Sequence, residues 1–107
     1  MKLVAILSSV VATEDGVYKV RTKRFEEVKP LVHGLTHYVG HVSTRELLER
    51  LGAVRSSSPF FRGLRVGESA LVVTLKRNTS RELKGFTTGV FGVKPEDLRF
   101  RILTRVE

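Results

Sequence analysis

Three histidines, His33, His37 and His41, stand four residues apart. On one continuous helix they would share a face and could hold a transition metal. Gly34, Gly40 and the β-branched Thr36 and Val39 interrupt any such helix, and no acid lies near enough in sequence to complete a ligand set. His41 has a different neighbourhood. It follows Gly40 and precedes a strong helix pattern, where free backbone N–H groups and the helix dipole favour an anion. Two readings stand at this point: a phosphate sits beside His41, or His41 is simply the residue before a helix. Against the first, a capping box made by Ser43 and Glu46 would occupy two donors and add a carboxylate at the mouth.

Other chemistries are excluded by residue type. The only aspartates, Asp15 and Asp97, fall in distant loops, so two-metal phosphoryl transfer lacks its acid cluster. The chain has no Walker loop, dinucleotide fingerprint or nucleophile elbow. With no cysteine it has no thiolate metal site, disulfide or cysteine nucleophile. What it has in excess is positive charge: 19 Lys and Arg against 11 Asp and Glu, a formal net charge of +8. Such a surplus draws polyanions and speeds their encounter, and it also serves solubility. Lys19, Arg21 and Lys23 alternate along one segment, and Arg99, Arg101 and Arg105 along another. Neither row is interleaved with aromatics, so bases have nothing to stack on, and both rows could equally be solvated edge guards.

The elements that must position these residues follow from periodicity. Lys2 to Ser9 is almost continuously apolar and reads as a strand buried on both faces. After the turn signal Thr13 to Gly16, Val17 to Lys23 alternates as a half-exposed strand. Phe25, Val28 and Val32 recur at helical spacing, which predicts a helix over Arg24 to His33 ended by Gly34, despite Pro30. Thr44 to Leu51 is the best helix pattern, with Ser43 as N-cap, Glu46 closing the box, Val42 stapling onto Leu47, and Gly52 as left-handed C-cap. On this reading truncating His41 removes no cap. A serine-rich loop leads to a strand at Phe60 to Val66, and Gly67-Glu68 turns into Ser69 to Lys76, whose Leu71, Val72, Val73 and Leu75 mark it as central. Arg77 to Val93 reads as an irregular loop. The last strand carries Leu98, Phe100, Ile102 and Val106 inward, with Arg99, Arg101 and Arg105 outward.

The 107 residues, 41% of them hydrophobic, suit one domain spanning 1–107. The order of elements predicts an α/β domain with a mixed sheet of about five strands and helices mainly on one face. Scarce Asn and Met with no Gln or Cys fit heat adaptation. The apolar start is too short to span a bilayer and lacks a leader pattern, so a cytoplasmic protein without a membrane partner is expected.

The segment Val39-Gly40-His41-Val42-Ser43-Thr44-Arg45-Glu46-Leu47-Leu48, taken with Gly67 to Arg77, resembles the type III anti-CRISPR ring nuclease family. The likeness covers most of the chain, and its sharpest element is Gly-His-x-x-Thr before a Leu-rich helix, here Gly40, His41 and Thr44. The resemblance implies a homodimer that binds cyclic tetra-adenylate across its two-fold axis and cuts it without metal or cofactor. It assigns His41 as general acid, a role suited to imidazole. The family's Lys-Gln-Arg-x-x-Glu-Gly is replaced by Lys76-Arg77-Asn78-Thr79-Ser80-Arg81-Glu82, which would bring Arg77 and Glu82 to the active site in an altered loop. The expected ligand contacts are Gly40 and Thr44 from this motif, together with Arg62, Arg81 and Ser9, the arginines as candidate phosphate clamps. The competing readings are a small basic nucleic-acid-binding protein, whose duplex affinity falls steeply with salt, and a non-catalytic sponge for the cyclic messenger.

Overall fold

The alternating and continuous apolar runs become a six-stranded mixed sheet in the computed structural model, which describes residues 3–8, 15–58, 60–76 and 93–107. In chain order the elements are β1 (Leu3–Leu7), β2 (Tyr18–Lys23), α1 (Phe25–Val32), β3 (Thr36–His37), α2 (Val42–Arg50), β4 (Val54–Arg55), β5 (Ser69–Leu75) and β6 (Leu98–Arg105). The strands lie in the order β2-β6-β5-β1-β3-β4. β5, β1, β3 and β4 run parallel, while β6 and β2 are antiparallel additions at one side. The protein is thus an α/β domain, with one strand more than its sequence predicts.

The difference arises at both ends of the register. β3 and β4 have two residues each, too few to leave an alternation in sequence, yet they form the parallel strands of a β3-α2-β4 unit. The predicted strand at Phe60 to Val66 makes no ladder. Gly63, at φ 92°, breaks its extended path, and Phe61 and Leu64 instead pack onto the sheet from outside. The last strand ends at Arg105, leaving Val106 43% exposed. Leu103 is buried in its place, on the opposite face from Ile102. β6 gives Phe100 and Ile102 to the core beneath the helices and Leu103 to the cluster on the other face, so both of its faces are covered in part and the simple inside-outside alternation fails.

Both helices pack on the same face. Val28 and Val32 of α1 and Leu47 and Leu48 of α2 join Ile6, Leu71, Val73, Phe100 and Ile102 in one core, while Ala70, Val72, Leu103 and Leu64 form a second, smaller cluster on the helix-free face. α1 begins where the Glu27 carboxylate accepts from the Arg24 N–H at 3.0 Å. Pro30 stands in its last turn and has no N–H to give the Glu26 carbonyl, and Gly34 then turns the chain at φ 83°. Gly52, at φ 100°, ends α2 as the sequence predicts, its N–H bonding the Glu49 carbonyl while Ala53 N–H reaches back to Leu48. Arg105 does not face solvent as expected. Its guanidinium donates to the carbonyls of Leu64, Asp15 and Glu107 and ties three segments together. Among the described residues no helix is long and apolar enough to cross a membrane.

Candidate functional site

From β1 the chain runs out to β2 at the far edge and returns through α1; its parallel strands then continue as β3 and β4 on one side of β1 and as β5 on the other. Strand order therefore reverses between β1 and β5, and in parallel sheets such a reversal opens a crevice beyond the carboxyl ends of the strands. Three strand exits lie at this end of the sheet. Ser8 leads out of β1, Lys76 out of β5, and Tyr38 to His41 out of β3.

His41 is the N-cap of α2, which starts two residues earlier than the sequence predicts. The Ser43–Glu46 capping box does not form: Ser43 is buried inside the first turn, Glu46 is exposed, and Val42 is 43% exposed rather than stapled. Instead the imidazole Nδ1 accepts the Thr44 N–H at 3.4 Å and lies 2.9 Å from Thr44 Oγ1. Thr44 is itself 3% exposed, so its hydroxyl is held in place. The first helical bond runs from Arg45 N–H to the His41 carbonyl at 2.9 Å. An extended His41 backbone thus leads straight into the helix, and a histidine replaces the usual short polar cap. In the neutral ring, with Nδ1 accepting from Thr44, the proton resides on Nε2. In the imidazolium, Nδ1–H donates to Thr44 Oγ1. Nε2 is shielded from solvent, and only the imidazolium could give up a proton from it and remain a neutral ring.

Gly40 beside it is exposed, and a Cβ built there would meet nothing within 4 Å. A bulky group can approach its backbone. A cavity of about 400 Å³ opens at this end of the sheet, lined by His37, Tyr38, Val39 and Gly40 from the β3 exit and by Arg55, Ser56, Ser57 and Ser58 from the β4 exit. Ser56 N–H bonds the His37 carbonyl at 3.0 Å, which locks the serine loop against β3.

Beneath the cavity lies a fixed polar triad. His37, 1% exposed, accepts the Val39 N–H on Nδ1 at 3.3 Å, so its Nε2–H donates to Glu49 Oε2 at 2.7 Å. Arg55 reaches the same carboxylate with Nε at 3.2 Å and Nη2 at 3.4 Å. The Arg55 guanidinium first, and the His37 ring second, hold the Glu49 carboxyl below the ordinary carboxylate range. With both nitrogens engaged, His37 is a structural histidine joining β3 to α2. His33 is exposed and packs its ring against Gly52. Among the described residues no group of three or more His, Asp or Glu is placed to hold a metal ion.

The sequence-derived site residues fall into three groups. His41, Gly40 and Thr44 come together at the start of α2. Arg62 lies in the segment that covers the helix-free face. Its guanidinium forms a two-pronged pair with Glu68, 2.9 Å on each prong, and also donates to the Gly63 carbonyl. That pairing, with the Arg65 N–H, pushes the Glu68 carboxyl down to about 2. Glu68 immediately precedes β5, at the amino end of the parallel strands, whereas His41 follows the carboxyl end of β3. Ser9, Arg77, Arg81 and Glu82 lie outside the described residues.

Sequence reasoning passed over Arg45, four residues after His41 and so on the same side of α2. Its Nε is buried with no hydrogen-bond partner among the described residues. A cation one turn along from the candidate acid could be read from the sequence as i, i+4 spacing, but only if the helix start is correctly placed. The serine run Ser56 to Ser58 was legible as a loop, though not as a cavity wall. The chain matches no protein-family model and no curated protein sequence.

Proposed function

We propose that the protein is a ring nuclease that binds cyclic tetra-adenylate beyond the carboxyl ends of its parallel strands and cuts it without metal. The observation that carries this reading is His41 serving as the side-chain cap of α2 just beyond the carboxyl end of β3, with Nδ1 held by Thr44. The helix start offers backbone donors and a favourable dipole for one phosphate, and Arg45 adds a guanidinium beside it. Open space at Gly40 admits the sugar-phosphate chain, and the 400 Å³ cavity beyond it has room for a base.

In the reaction a ribose 2′-oxygen attacks the adjacent phosphorus as its proton passes to solvent. The bond to the 5′-oxygen breaks, and that oxygen takes the Nε2 proton of the His41 imidazolium, which is left as the neutral ring with its Nδ1–H on Thr44 Oγ1, giving a 2′,3′-cyclic phosphate and a free 5′-hydroxyl. Arg77 and Glu82, which follow β5 in sequence, contribute as the family resemblance implies, and a symmetric dimer presents two such sites to a symmetric ring. The test is incubation of the pure protein with cyclic tetra-adenylate in chelator. Linear adenylates with cyclic 2′,3′ ends are expected, together with a dimer by light scattering. Tight binding without cleavage would make the protein a sponge, and strict dependence on added magnesium or manganese would overturn the mechanism.

A further inference from the structure

At the far edge of the sheet from His41, the edge strand β2 carries Lys19, Arg21 and Lys23 on one face. Their partners on β6 are Thr104, Ile102 and Phe100. Directly opposed residues of an antiparallel pair share a face, and Phe100 and Ile102 belong to the core beneath the helices. The three cations therefore stand on the helix-bearing face, on a part of it where they line a cavity of about 300 Å³. Its floor is Ile102, 4% exposed, and the hydroxyl pair Ser69–Thr104, whose oxygens lie 2.7 Å apart with Ser69 1% exposed. Lys23 approaches Glu27 only at 4.0 Å, and among the described residues Lys19 and Arg21 make no ion pair.

A row of edge-strand lysines and arginines can serve only to discourage strand pairing. Two features go further than that. Guard residues need no concave surface, whereas these three form one wall of a cavity with hydroxyls in its floor. They also stand at alternate positions, about 7 Å apart, in a straight line. A single phosphate needs donors converging on one point, while a line of evenly spaced cations matches successive charges along a chain.

We propose that this groove is a second anion site, separate from the crevice at His41, that takes the backbone of single-stranded nucleic acid independently of base identity. No aromatic side chain lines it, so recognition is of phosphate alone. Three strands lie between β2 and β3, a lateral separation of about 19 Å.

The test is fluorescence anisotropy of an end-labelled oligouridylate titrated with protein at increasing salt. The wild type should lose affinity linearly in log–log form, with about 0.7 of slope for each neutralised phosphate, or about 2 for the row. Replacement of the row by Lys19→Thr, Arg21→Thr and Lys23→Thr keeps strand propensity and should remove that part of the slope, while Arg99→Thr on the other face should not. Arg21→Gln alone should lower the slope by about 0.7, which keeps the test decisive if the triple variant melts. An unchanged slope in these variants, an equal loss in Arg99→Thr, or displacement of the oligomer by uridine monophosphate at matched concentration would each overturn the proposal.

Discussion

His41→Ala perturbs two things at once, and the structure says how much of each. The imidazole Nδ1 is the acceptor that caps α2, so truncation leaves the Thr44 N–H without its partner and the Thr44 hydroxyl facing a gap. Losing a side-chain N-cap costs about 0.5–2 kcal/mol. The 3.4 Å separation marks a weak cap bond, which places this case at about 0.5–1 kcal/mol. For a domain of this size that is a fall in Tm of about 2–8 °C. The chemical loss is separate: without a proton donor for the departing 5′-oxygen, cleavage should slow by about 10² to 10⁴. His41→Asn divides the two, because Asn caps helices as well as any residue yet cannot act as the acid. The expected pattern is a lowered Tm and slow cleavage for His41→Ala, but a near-parental Tm and equally slow cleavage for His41→Asn. Thermal melts and single-turnover assays below both transitions read it out. Parental cleavage by His41→Asn would refute the proposed acid, and equal destabilisation of the two variants would refute the cap.

Three further outcomes follow from the described geometry. Gly52→Ala should destabilise by more than about 1 kcal/mol, since φ is 100° and the new Cβ would lie 2.5 Å from His33 Cδ2; in a His33→Ala background, urea melts should show only the backbone part of that cost. His37→Ala should lose about 2 kcal/mol or more, because it strands the buried Val39 N–H and removes the donor to Glu49; a parental urea midpoint would show that the triad is idle. Glu68 titrates in the fold well below its unfolded value, so its pairing stabilises the protein fully above about pH 5 and loses that contribution as pH falls toward about 2. Glu68→Gln should therefore lie below the wild type in Tm at neutral pH and converge with it in acid, and a constant gap would show that the Arg62–Glu68 pair does not carry the effect.

The central strand Ser69–Leu75, the helix at Phe25–Val32 and the glycine stops at 34 and 52 were legible in the sequence because each rests on local chemistry: an unbroken apolar run, a 3.6-residue period, and a left-handed backbone that only glycine adopts freely. Gly40, His41 and Thr44 were legible as a group for the same reason, lying within five residues of one another. The start of α2 was not. Ser43 and Glu46 have the composition of a capping box, but both Ser43 and Thr44 are buried against the sheet, and the chain leaves β3 in a direction that brings His41 to the cap. Local propensity is worth about 1 kcal/mol at a cap, and burying a helix face outweighs it. Strands of two residues, the burial of Leu103, the triad of His37, Glu49 and Arg55, and the Arg62–Glu68 pair all depend on which segments become neighbours across the sheet. Residue types and their periods determined which elements form, while the order of strands, set by packing between distant parts of the chain, decided which side chains meet.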